Sequence, residues 1–229
     1  ANTWWTPADG DPKFELIVNR SSKSLMCSGP MDFTLRTGDD LVDQTSERRR
    51  ARTLAEGVPF PKLDVMVVLP QTYMNLSGGA VKNIVQNQKW RLKRNADSSG
   101  KGDEVLVVMD DVTLPFGQLR LRPKGGDGGH NGLKDICKRL NSGNIPRLKI
   151  GVGPRSDLHG SPLPPVGTKA LASYVLSNFT QEEKQYLPHV CKFAAEVIRV
   201  YLHRGFNAAS SVTNGNKDCL AMVVRSSKD

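Results

Sequence analysis

Two polar stretches of the chain, residues 71–78 and 110–131, carry the residue types that general acid–base chemistry uses. Asp110 follows an apolar run, and a carboxylate at the end of a buried strand can orient a histidine or an attacking water. Asn75 offers an amide that can hold that water or a carbonyl oxygen, and His130 adds an imidazole. The candidate catalytic residues are therefore Asp110, Asn75 and His130. Considered singly, each also fits a purely structural role: Asn75 as a turn former, Asp110 as a loop carboxylate and His130 as a structural histidine.

A glycine-rich segment lies directly before His130, with glycines at positions 125, 126, 128 and 129. Glycines let backbone N–H groups approach a ligand closely. They lead here into the N-terminus of a predicted helix, which favours an anion such as phosphate. The segment completes neither a dinucleotide-binding fingerprint nor a Walker sequence. A plain tight turn accounts for these glycines equally well.

The basic residues point to a polyanionic partner. The 229-residue chain has a formal net charge of +9, which favours RNA as the simplest partner. Strand-like alternation over residues 118–122 places two arginines on one face, and a phosphate backbone would offset their repulsion. An ordinary solvated surface is the alternative. The candidate RNA-binding residues are Arg120, Arg122, Lys124, Lys134 and Arg147.

Other bulk properties narrow the class of protein. No apolar run approaches the ~18–20 residues that span a bilayer, so no membrane partner is predicted. The four cysteines are scattered without metal-like spacing, which predicts reduced thiols in an intracellular compartment and no metal site. Because the chain opens on Ala1 and not on Met, we interpret its start as processed, trimmed or incompletely represented.

Apolar runs of strand length alternate with helical patterns. Buried strands are predicted at residues 63–69, 104–109 and 147–152, and helices at 79–90 and 132–140, the second with Asn131 as its N-cap. Thr180 and Glu183 form a capping box that opens a long helix ending at Gly205. Apolar residues recur at helical spacing along this helix and predict its core face: Leu187, Val190, Ala194, Val197, Ile198 and Tyr201. This order predicts an α/β protein of one domain, with a mixed, mostly parallel β-sheet flanked by helices.

Several motifs resemble those of the bacterial-type peptidyl-tRNA hydrolases. They are Gln-Thr-Tyr-Met-Asn-Leu-Ser-Gly at 71–78, Asp-Asp-Val-Thr-Leu-Pro-Phe-Gly at 110–117, the glycine-rich His-Asn-Gly-Leu at 125–133 and Arg-Leu-Lys-Ile-Gly-Val-Gly at 147–153. The resemblance covers a hydrolase-like core (63–214), and a change in composition marks a charged insertion (36–62) before it. A divergent N-terminal segment (1–35) and a tail (215–229) complete the chain.

The resemblance implies that the substrate is peptidyl-tRNA and that water cleaves the ester joining the peptide to the terminal ribose. A histidine acts as base in that family and an aspartate orients it. The implied substrate-binding residues are Met74, Asn131, Gly128 and Gly129. Arg122 and Arg147 resemble positions that clamp tRNA phosphates. No metal or cofactor is implied.

The chain departs from the family pattern at one important point. The family's opening Gly-Asn-Pro-Gly loop is not found, nor is the Thr-Arg-His-Asn segment that supplies its catalytic histidine, and Thr113 replaces a second carboxylate. One interpretation is an active hydrolase whose opening segment is not part of this chain. Another is an inactive RNA-binding component of a ribosome or other ribonucleoprotein. A third makes His130 a substitute base beside Asp110. An organelle matrix, mitochondrial or other, is the expected location, with the cytoplasm as the alternative.

Overall fold

The computed structural model describes residues 17–19, 21–31, 63–90, 105–154 and 168–215. Two compact units are distinguished, Ala1–Gln71 and Thr72–Asp229, where the sequence predicted one domain. The predicted insertion at 36–62 lies outside the described residues.

The first unit contains three antiparallel strands in the order β1-β2-β3. They are β1 (Ile17–Asn19), β2 (Ser24–Met31) and β3 (Leu63–Pro70). The apolar run over β3 forms the predicted strand, but Val67 and Leu69 are 47% and 46% exposed. Because residues two apart on a strand share a face, this face of β3 is not fully buried, and the expectation of a buried strand was wrong there.

The second unit contains a mixed three-stranded sheet in the order β4-β6-β5. Its strands are β4 (Val107–Pro115), β5 (Leu119–Arg122) and β6 (Arg147–Gly153). β4 runs parallel to β6, and β5 runs antiparallel to β6. The predicted α/β class with a mixed sheet is confirmed, but only one of the four described strand pairs is parallel. Only three residues join β4 to β5, too few for the crossover that parallel strands of one sheet need, so β5 runs opposite to both β4 and β6.

The described residues contain four α-helices: α1 (Ser77–Asn87), α2 (Asn131–Leu140), α3 (Thr168–Val175) and α4 (Gln181–Gly215). The sequence predicted α1, α2 and α4, but not α3. The capping box of α4 is present, with Thr180 N–H 2.8 Å from Glu183 Oε2 and Glu183 N–H 3.1 Å from Thr180 Oγ1. Gly205 is non-helical (φ +77°, ψ −176°), so the regular helix that the capping box opens ends there, as predicted, and a second helical segment follows it to Gly215. No described helix is long and apolar enough to cross a membrane.

The core of the second unit lies between α4 and the sheet. Val190, Val197 and Tyr201 on α4 are at most 2% exposed, which confirms the predicted core face of this helix. They belong to one cluster with Leu121 of β5 and Leu148 of β6. Full burial of such side chains contributes about 1.5–3 kcal/mol each. This packing fixes β5 and β6, the two strands that carry most of the candidate basic residues.

Candidate active site

The centre of the site is a hydrogen bond between Asp110 on β4 and His130 at the start of α2. His130 Nε2 lies 3.1 Å from Asp110 Oδ1, and the two side chains are 14% and 40% exposed, respectively. The hydrogen bond from His130 holds the pKa of Asp110 below its ordinary value, against the raising effect of burial. Asp110 is therefore ionised at neutral pH, and part of its carboxylate still faces solvent.

The second ring nitrogen of His130 fixes its tautomer. Nδ1 accepts a hydrogen bond from the Leu133 N–H at 3.1 Å, so it carries no proton, and the neutral ring has its proton on Nε2. Nε2–H then donates to Asp110. With both nitrogens engaged, His130 has no free lone pair to take a proton from water. This geometry suits His130 for holding Asp110 and not for the role of substitute base.

His130 is also the N-cap of α2, a role that the sequence assigned to Asn131. The imidazole Nδ1 takes the place of the side-chain oxygen that usually accepts from the first helical turn. Asn131 becomes the first helical residue and is exposed, so its side chain remains available to a ligand.

Met74 lies beside His130 because a glycine leaves room for it. A Cβ added to Gly132 would lie 2.5 Å from Met74 Sδ and 3.0 Å from His130 Cε1. The 3-10 turn Met74–Leu76 packs against α2, which brings Met74, His130 and Asp110 into one site. Asn75 is exposed on the same turn. Within the described residues, no hydrogen bond joins it to Asp110 or His130.

A carboxylate that the sequence did not single out holds this turn in place. Asp135 on α2 accepts a hydrogen bond from the Gly78 N–H at 2.8 Å, in the first turn of α1. Arg139 donates to the same carboxylate at 3.2 Å. A Cβ at Gly78 would overlap the Asp135 carbonyl oxygen. Since 57 residues separate Gly78 from Asp135, no local sequence pattern could have revealed this contact.

A second ion pair lies next to the first. Lys149 Nζ is 2.8 Å from Asp111 Oδ2, and the two side chains are 16% and 8% exposed. Asp111 also accepts from the N–H of Thr113 at 2.8 Å and from its hydroxyl at 2.6 Å. Burial raises the pKa of Asp111, but these hydrogen bonds outweigh burial, and its pKa is lowered overall. Thr113 therefore supports Asp111.

The glycine-rich segment forms a tight turn. Gly128 and Gly129 have φ of +62° and +84°, values that favour glycine. The Gly129 N–H donates to Asp127 Oδ1 at 2.8 Å, and the His130 N–H donates to the Asp127 carbonyl at 3.1 Å. Gly128 and Gly129 are exposed. The turn interpretation is thus supported, and binding of an anion there stays a prediction.

Arg147 does not face the surface, which corrects its assignment as an RNA-binding residue. The residue is 1% exposed. Its guanidinium donates to the carbonyls of Ile145 (2.9 Å), Gly125 (2.7 Å), Gly126 (3.0 Å) and Gly143 (3.0 Å). Burial lowers the pKa of this guanidinium. A side chain so engaged cannot also bind a phosphate.

The other predicted basic residues are accessible. Arg122, Lys124 and Lys134 are exposed and Arg120 is partly exposed. Arg120 and Arg122 line a groove of about 210 Å³ between β5 and the end of α4. The Asn214 amide forms part of its wall and bonds to the backbone N–H and carbonyl of Leu121 at 3.2 and 3.3 Å. These positions suit contact with a polyanion.

Comparison with known proteins places the chain in one family. A family model described as peptidyl-tRNA hydrolase matches residues 36–220, including the predicted insertion. The chloroplastic peptidyl-tRNA hydrolase of Arabidopsis thaliana is 42% identical over 156 residues, which are 68% of this chain and 47% of that protein. This chain thus spans about half the length of that relative. The peptidyl-tRNA hydrolase of Sulfurihydrogenibium sp. is 42% identical over 180 residues, 77% of this chain and 85% of the relative.

The fold agrees with the sequence comparison. The crystal structure of peptidyl-tRNA hydrolase from Acinetobacter baumannii superimposes with a TM-score of 0.61 at 20% identity, covering 89% of this chain and 79% of that one. At 20% identity this structural similarity supports the fold alone, and the assignment to a family depends on the sequence matches. This chain belongs to the peptidyl-tRNA hydrolase family.

Proposed function

We propose that this protein binds the acceptor end of peptidyl-tRNA and hydrolyses the ester between the peptide and the terminal ribose. The observation that carries the proposal is the 3.1 Å bond between His130 and Asp110, with Met74 against the same imidazole, in a chain of this family. A charged carboxylate beside an apolar thioether offers one polar and one apolar contact to a peptide ester.

In this proposal Asp110 orients the reacting groups. One carboxylate oxygen accepts from His130, and the exposed remainder can accept from the attacking water or from a base. Asn75, exposed on the neighbouring turn, supplies an amide N–H for the oxyanion that forms on the ester carbonyl. Asp110 itself is a weak base because its pKa is lowered, so a further group takes the proton from water and passes it to the leaving ribose oxygen.

The accessible basic residues supply the RNA contacts. Arg120 and Arg122 on β5, with Lys124 after it and Lys134 on α2, are the proposed phosphate ligands. The logarithm of the binding constant falls as the logarithm of the salt concentration rises. Replacing one of these residues by alanine removes a phosphate contact and should make this dependence shallower by about 1 unit of slope. Arg199→Ala on α4, where Arg199 bonds to Glu196, is the matched control and should leave the slope unchanged.

The test is release of an N-acetylated amino acid from tRNA by the full chain, measured beside salt-dependent tRNA binding. We expect turnover by the wild-type protein and a fall of about 10²-fold or more in kcat for Asp110→Asn, because orientation of the reacting groups contributes effects of this size. Binding of tRNA without release would refute hydrolysis and favour an RNA-binding role in a ribonucleoprotein. Neither binding nor release would refute the proposal as a whole.

We further propose that the protein works in an organelle. A relative of 42% identity is described as chloroplastic, which supports a plastid more than the mitochondrion. Imaging of the complete gene product fused to a fluorescent protein tests this, and a purely cytosolic signal would refute it.

A further inference from the structure

Arg147 heads the large side chains that are fully buried in the described part of the chain. Burying a charged group is unfavourable unless its donors find partners. In the described residues this guanidinium donates to four backbone carbonyls and also interacts with the Cys137 thiol, and no described carboxylate forms an ion pair with it. An apolar side chain would fill the space with less loss of hydration, so the arginine calls for a role other than filling the core.

The carbonyls that Arg147 binds determine which way the glycine-rich turn faces. Nη1 bonds to the carbonyls of both Gly125 and Gly126. No described peptide bond is cis, and in a trans peptide the N–H points opposite to the carbonyl of the same unit. The N–H groups of Gly126 and Asp127 therefore point away from Arg147. A Cβ at Gly126 would meet nothing within 4 Å, so this outer side of the turn is open.

The same turn leads directly to the catalytic pair. Asp127 accepts from the Gly129 N–H through its side chain and from the His130 N–H through its carbonyl. His130 in turn bonds to Asp110. Hydrogen bonds and the short stretch of backbone between Gly126 and Asp127 thus connect the buried guanidinium, through the turn, to the carboxylate of the site.

We propose that Arg147 is a positioning residue that fixes the glycine-rich turn, residues 125–129, and through it sets His130 against Asp110. Its kinetic consequence rests on the proposed function, whereas its structural consequence does not. A lysine at this position would keep the charge, but its single nitrogen cannot span carbonyls on both sides of the guanidinium. The arrangement therefore depends on the planar fork of arginine.

The first test compares Arg147→Lys with the wild-type protein by nitrogen-15 NMR of the His130 ring and by kcat and KM for N-acetylated aminoacyl-tRNA. We expect the ring nitrogens of wild-type His130 to show one tautomer, with the proton on Nε2. In Arg147→Lys we expect mixed tautomers and a fall in kcat of about 10- to 100-fold, because misplacement by about 1 Å has effects of this size. KM should change by less than about threefold. Arg199→Lys is the matched control and should behave as wild type.

A second variant keeps the proposal testable if Arg147→Lys fails to fold. Asp127→Ala removes the side-chain bond to Gly129 from an accessible turn while leaving Arg147 in place. It should also disturb the His130 ring signals. A folded Arg147→Lys with wild-type ring signals and wild-type kcat would overturn the proposal. Unchanged ring signals in Asp127→Ala would do the same.

Chemical rescue separates positioning from simple stabilisation. Guanidinium at millimolar concentration should restore part of the kcat of Arg147→Ala at a temperature where the variant is folded, and the same concentration of ammonium should not. If the wild-type protein hydrolyses nothing, the proposed function fails, while the NMR comparisons still decide the role of Arg147.

Discussion

Replacing Gly132 by alanine is the sharpest test of how the site is packed. The added Cβ would lie 2.5 Å from Met74 Sδ, 3.0 Å from His130 Cε1 and 3.3 Å from His130 Nδ1. The thioether can swing aside, since Met74 is 55% exposed. The imidazole cannot, because both of its nitrogens are bonded. The methyl group therefore strains the ring against its two partners.

Two opposing effects set the magnitude. Alanine is favoured over glycine in a helix by roughly 0.5–1 kcal/mol. Overpacking a fixed site costs about 1–3 kcal/mol. For Gly132→Ala we expect overpacking to win, with a net loss of about 1 kcal/mol in the free energy of unfolding. Displacement of the ring from Asp110 should lower kcat by about 10-fold or more.

Gly79→Ala provides the matched control. Both glycines lie in the first turn of a helix: Gly79 is the third residue of α1, and Gly132 is the second residue of α2. A Cβ at Gly79 would approach only the Arg139 side chain, at 3.9 Å. This variant should gain up to about 1 kcal/mol. Urea unfolding of both variants gives the free energies, and the hydrolysis assay gives kcat. If Gly132→Ala were stabilised as much as Gly79→Ala, the contact of Met74 and His130 over Gly132 would be refuted.

Three further predictions concern the groups around the site. The pKa of Asp110 is lowered in the folded protein, so its stabilising effect is present in full above the unfolded pKa of about 4 and declines as the pH falls through the folded value. Urea unfolding should therefore show a larger advantage of the wild type over Asp110→Asn at pH 7 than at pH 3. Lys149→Met leaves Asp111 buried without its partner, and thermal unfolding should show a loss of about 3–5 kcal/mol that a second change, Asp111→Asn, partly restores. Asn214→Ala removes two hydrogen bonds to the Leu121 backbone and should cost about 1–2 kcal/mol, with faster hydrogen exchange at the Leu121 amide; unchanged exchange would contradict the contact.

Features that depend on neighbours along the chain were predictable. The capping box of α4 follows from Thr180 and Glu183 at a spacing of three, and the core face of that helix follows from its period. Local sequence patterns failed to predict the N-cap of α2, because the two adjacent candidates, His130 and Asn131, can both accept a hydrogen bond from the first helical turn. Asn131 is a better N-cap than histidine on average, yet His130 takes the role because Asp110 holds its ring in place.

Arg147 shows why the RNA surface could not be predicted in full. Arg122 and Arg147 are paired in register across β5 and β6, and both read as basic residues on strands. One is exposed and the other is 1% exposed. The difference lies in the carbonyls of Gly125 and Gly126, 22 and 21 residues away. Contacts between residues so far apart produce no helix or strand periodicity, so the burial of Arg147 could not be predicted from the sequence.

By itself, the sequence determined the family, the α/β class and the identity of the polar residues, because motifs and periodicity are local properties that survive without coordinates. Only the tertiary structure decided what those residues do. It fixed the tautomer of His130, paired Asp110 with that ring and lowered the pKa of Asp110, and buried Arg147. These outcomes depend on distances between residues far apart in the chain, and such distances exist only after the chain has folded.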